Sequence, residues 1–100
     1  MKRPVKFLRS AAVEADEAVI WHEEREAGLG RQFREAVEMA VESIQRHPTA
    51  FPVVHEKDFR RVVVNKFPYI IIYLVESTSI LVVSVFHTSR DPMIWRGRFE

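Results

Sequence analysis

The sequence predicts an α+β fold of order β-α-α-β-β-β, a helical hairpin packed on one face of a small antiparallel sheet. Two observations carry this. Residues 11–46 hold two helix-period segments separated only by Gly28-Leu29-Gly30, and residues 59–87 hold three apolar, β-branched runs separated by turn signals. A helical hairpin and a β-meander each have an apolar face to bury, and packing one on the other buries both.

Val5, Phe7 and Leu8 follow a basic start and predict a short first strand. Ser10 suits an N-cap, and Ala11 to Ala27 are strong helix formers throughout. Ala11, Ala12, Ala15, Ala18, Val19 and His22 share one face of that helix, while Val13 and Ile20 lie on the opposite side, seven residues apart. Gly28 fits a left-handed helix-ending position. The second helix is expected over Leu29–Arg46, with an apolar stripe of Leu29, Phe33, Ala36, Val37, Ala40, Val41 and Ile44, and Pro48 ends it. Thr49 to Asp58 reads as irregular. Three strands follow: Phe59–Lys66, a central Tyr69–Val75 covered on both faces, and Ile80–Phe86 returning after the Glu76-Ser77-Thr78-Ser79 turn.

One hundred residues, 47% hydrophobic and 29% charged, are expected to make one globular domain over 1–100. With no cysteine, the chain has no disulfide, thiolate metal site or cysteine nucleophile, which suits a reducing cytoplasm. Met1 to Arg9 is too short and too charged for a signal peptide, and the longest apolar runs, Tyr69–Val75 and Ile80–Phe86, are far too short to span a bilayer, so no membrane partner is expected. Net charge is only +1, but residues 10–45 carry nine acidic and three basic side chains, against five and twelve in the remainder. A basic surface of that kind meets nucleic acid or an acidic protein segment.

The candidates for chemistry thin out quickly. His22-Glu23-Glu24-Arg25-Glu26 begins like a zincin helix, but the second histidine is replaced by Glu26, so no metal site is expected. His47 and His55 fall in the connector and read as surface residues. No glycine-rich phosphate loop exists. Ser89 lacks a strained glycine elbow, and His87 and Ser89 are expected to point apart, so no hydrolase triad is expected. Arg60 and Arg61 open a strand on opposite faces. His87, Arg90, Trp95, Arg96 and Arg98 end the chain, and arginine with tryptophan is a recognition composition.

The ordered set AVIWHEERE, GLG, FREAVEMAVESI, HPTAFP, FPY and HTSRDP resembles the RelE/ParE superfamily of type II toxins. The resemblance spans nearly the whole chain and implies a bacterial growth-arresting toxin of a plasmid-stabilisation module, held in check by a cognate antitoxin. RelE-like members cut mRNA on the ribosome; ParE-like members poison DNA gyrase. The ribonuclease branch has an arginine after the aromatic residue of the middle strand, where this chain has Ile70, and tends to end in a catalytic tyrosine, where this chain ends Arg98-Phe99-Glu100. The resemblance is therefore to the ParE-like side. It implies no cofactor, no small-molecule substrate and no catalytic residue. Arg60, Arg61, His87, Arg90, Trp95, Arg96 and Arg98 would be target contacts on gyrase, and Val13, Ile20, Arg90 and Arg96 would be antitoxin contacts. The alternatives are a ribosome-dependent endoribonuclease, with His87 as general acid or base and Arg61 and Arg90 on phosphate, or a non-toxic antitoxin-binding module.

Overall fold

The structure, a computed structural model, describes residues 3–55 and 58–90. Its elements are β1 (Val5–Phe7), α1 (Arg9–Arg25), α2 (Leu29–Arg46), β2 (Val53–His55), β3 (Phe59–Val63), β4 (Tyr69–Val75) and β5 (Ile80–His87). The five strands form one sheet in the order β1-β5-β4-β3-β2. The α+β architecture is as expected, with two differences. Part of the segment expected to be irregular is a strand, β2, paired with β3. The sheet is also mixed, because β1 runs parallel to β5, with Val5 opposite Ile80 and Phe7 opposite Val82. A strand–helix–helix excursion of this length can return on either side of the sheet, so local pattern does not reveal the direction of that pairing.

α1 starts earlier than Ser10 would set it. The Leu8 N–H donates to Val82 O (2.9 Å) and Leu8 O accepts from Ala12 N (2.9 Å), so the chain turns into the helix directly off the sheet and no side chain caps it. Gly28 takes the left-handed conformation at φ 90° and joins the helices. The close crossing is built on Gly30: a Cβ there would stand 2.6 Å from Val19 O. Glu23 closes the same junction, since its carboxylate accepts the amides of Gly28 (3.0 Å) and Gly30 (3.0 Å). These are donors that the first turn of α2 leaves unpaired.

The main core lies between the helices and one face of the sheet. Ala11, Phe33, Ile44, Ile71, Tyr73, Ile80, Val82 and Val85 are all within 1% of full burial. A second cluster, Phe59, Ile72, Val83 and Phe86, sits on the other face of the sheet. A β-bulge makes this possible. Ile72 pairs with Ser84 but Tyr73 pairs with Val82, which inserts Val83 as an extra residue. The bulge shifts the phase of β5, so Val85, like Val82, faces the helices. No helix among the described residues is long and apolar enough to cross a membrane.

Candidate functional site

The β5 bulge decides where the candidate residues lie. Past it, His87 sits opposite Tyr69, and the two rings meet edge to face at 5.2 Å. Tyr69 belongs to the helix face of the sheet, where its ring stands 4.8 Å from Phe33 and 5.6 Å from His22. His87 therefore lies on the helix side. Arg61 is opposite Ile72 of the second cluster and points to the far face.

A cleft of about 320 Å³ opens between α1 and the end of β5, with Glu14, Glu17, Trp21, Tyr69, His87 and Arg90 on its walls. Glu14 reaches across from α1, and its Oε1 accepts from Ser84 Oγ (3.0 Å) and from the Val85 amide (3.0 Å). It occupies the edge of β5 beyond the reach of β1. His87 Nδ1 accepts from the Ser89 amide (3.0 Å) and lies 2.7 Å from Ser89 Oγ. The expectation that His87 and Ser89 point apart is corrected here. Residues two apart in an extended chain share a face, and the turn after His87 folds Ser89 back onto the ring. The contact caps a turn: the amide donor makes Nδ1 the unprotonated nitrogen, so the proton of a neutral ring is on Nε2. Burial raises the Tyr69 phenol above its usual pKa, and the Arg90 charge draws it partly back.

Arg60 and Arg61 part company, as strand alternation requires. Arg61 is exposed. The Arg60 guanidinium instead donates to Thr49 O (3.0 Å) and Phe51 O (2.7 Å), and its buried Nε has no partner. Tyr73 fastens the same connector by donating to Pro48 O (2.7 Å). Burial pushes the Tyr73 phenol up to about 12, against the lowering effect of the Arg60 charge. Arg60, expected to be a target contact, is held by the connector. Trp95, Arg96 and Arg98 lie outside the described residues.

Val13 and Ile20 are exposed on the outer face of α1, at 45% and 58%. Trp21 beside them is 47% exposed and carries the Arg25 guanidinium 3.7 Å above its ring centre. His22, the first residue of the stretch that begins like a zincin helix, is buried in the core. It donates from Nδ1 to Ala18 O (2.6 Å) and stacks on Phe33 at 4.9 Å. Among the described residues, no group of His, Cys, Asp or Glu is arranged to hold a metal ion. Residue types alone had not marked Glu14, Glu23 or the half-exposed Trp21. Glu14, Trp21 and His22 sit on the flank and core of α1, a placement that helical spacing does encode.

The fold is thus a strand, two helices joined by a tight left-handed turn, and a return sheet whose last strand pairs with the first. A solved structure described as "Chromosomal ParDE TA system from P. aeruginosa" shares this fold with a TM-score of 0.61, at 18% identity over 86% of this chain and 96% of that one. No curated protein matches the sequence. Residues 5–92 match the family described as "ParE toxin of type II toxin-antitoxin system, parDE". The chain belongs to that ParE toxin family.

Proposed function

We propose that the protein arrests growth by binding and poisoning DNA gyrase, not by cutting RNA, and that a cognate antitoxin neutralises it. The observation that carries this reading is the separation of Arg61 and His87 on opposite faces of the sheet. A phosphoryl-transfer site needs its general acid or base and its charge-stabilising cations around one phosphate. With Arg61 on the far face, the set His87, Arg61 and Arg90 cannot close on one. Ile70, on the middle strand, offers no charge in place of Arg61. Membership of the ParE toxin family supports the same side of the choice.

On this reading the exposed basic residues, Arg61 and Arg90 among those described, contact the target. The antitoxin covers the outer face of α1 at Val13 and Ile20, and Arg90 as well. A supercoiling assay with purified toxin and gyrase tests it: the expected result is loss of supercoiling with accumulation of cleaved DNA. Undisturbed supercoiling, together with cuts in translated mRNA that vanish in His87→Ala, would overturn it in favour of a ribonuclease.

A further inference from the structure

The strand order leaves β3 with a short neighbour. β2 pairs with it only at Phe59 and Arg60, and the last bond runs from the Arg61 amide to Pro52 O (3.1 Å). Peptide groups alternate along a strand. Those of Arg61 face β2, whereas the Val64 amide faces β4 and donates to Tyr69 O (2.9 Å). The N–H and C=O of Val63 therefore point to the same edge as those of Arg61, and no described strand lies beside them.

The surroundings of that edge are apolar. Val63, on the far face of the sheet like Arg61, is 57% exposed, and Met39 on α2 across the edge is 61% exposed. Along the edge, between α2 and β3, runs a groove of about 420 Å³ with Ala36, Met39, Ala40, Phe51 and Val62 in its walls. Folded proteins guard bare strand edges with lysine, proline or a covering segment, and among the described residues Val62–Val63 has none of these. The charges nearby have a sign. On α2, Glu35 pairs with Arg31 and Glu42 with Arg46. Arg61 and Lys66, both exposed at the two ends of the edge, tip the balance to positive.

We propose that this edge receives an extended, acidic segment of the antitoxin, added as a strand beside Val63 with alternate side chains lodged between Met39, Phe51 and Ala40. Main-chain bonds to Val63 hold it, the groove selects its apolar residues, and Arg61 and Lys66 select its acidic ones. The inference rests on the antitoxin reading above. A second copy of this chain fits less well. β2 blocks the edge beyond Arg61 and the Asn65-Lys66 turn ends it, so two rigid copies would share only Val62 to Val64 and leave the groove empty. A flexible segment fills both edge and groove.

The test uses the full-length toxin and its cognate antitoxin in titration calorimetry. Val63→Asp and Met39→Glu place charge at exposed positions, and Val63→Pro removes an amide that no bond to β4 uses. Each is expected to raise Kd by at least about tenfold, while Thr78→Ala at the remote β4–β5 turn leaves it unchanged. The Val63 amide is expected to exchange freely in the toxin alone and slowly in the complex. If wild-type toxin binds no antitoxin, the antitoxin reading itself fails. If wild type binds and the folded Val63→Asp and Met39→Glu variants bind equally well, or if Val63 stays unprotected in the complex, this docking mode fails. A free toxin that is dimeric, and becomes monomeric in Val63→Asp, would assign the edge to a second copy and overturn the proposal.

Discussion

The Glu23 carboxylate of α1 accepts the Gly30 amide of α2 at 3.0 Å. Two turns of helix meet there through one side chain, and the helices approach closely enough that Gly30 has no room for a methyl group. Glu23→Ala is expected to cost about 1 kcal/mol, the usual worth of a capping carboxylate. Gly30→Ala is expected to cost more, about 2 kcal/mol, since its Cβ must push aside the Val19 carbonyl. Urea denaturation of the two variants checks both figures and their order.

Tyr73 and Arg60 pin neighbouring stretches of the connector, Tyr73 through Pro48 O and Arg60 through Thr49 O and Phe51 O. Tyr73→Phe is expected to destabilise by about 1 kcal/mol, with Pro48 O losing its donor. Arg60→Ala should cost more than its exposed neighbour Arg61→Ala. Because both hold residues 48–51, the double variant Tyr73→Phe/Arg60→Ala is expected to lose less than the sum of the singles. Chemical denaturation of the four proteins measures the coupling.

Tyr73 also sets a pH dependence. Its phenol is raised from 10.0 to about 12 in the folded chain. The folded state holds this proton after the unfolded state has released it, so stability is complete below pH 10 and falls as pH rises from 10 towards 12. Thermal melts across that window are expected to show a steeper loss for wild type than for Tyr73→Phe.

Lys66 turns the β3–β4 hairpin at φ 69°, in the left-handed region that a side chain resists. Lys66→Gly is expected to stabilise by up to about 1 kcal/mol, with the gain reduced by glycine's greater freedom in the unfolded chain. A Tm that falls would show that the lysine side chain contributes a contact outweighing the strain.

Much of this fold was legible in the residues because it is written locally. The stripe of α2 from Phe33 to Ile44 repeats at helical spacing and is buried as expected. Gly28 marked the left-handed turn, and Tyr69–Val75 and Ile80–His87 declared themselves by β-branching. What escaped is non-local. Val53–His55 is a strand only because β3 lies beside it, and with Pro52 ahead of it the segment reads as a loop. The parallel pairing of β1 depends on where Ile80 arrives in space. The extra residue at Val83 has no signature in composition, yet it sends His87 to the helix face and separates it from Arg61. The candidate residues could be named from the sequence, but which of them share a surface could not.

The parallel pairing of β1 with β5 also fixes an order of events during synthesis. Residues 5–7 leave the ribosome early but find their neighbours only when residues 80–82 have followed. Until then, the helical hairpin and the β3–β4 pair can form from nearby contacts, while the N-terminal strand waits without a template. Closing so distant a contact is slow compared with hairpin formation. For a chain of the ParE toxin family this delay defines an interval in which the nascent chain has no finished sheet, and a partner made beforehand has that interval in which to capture it.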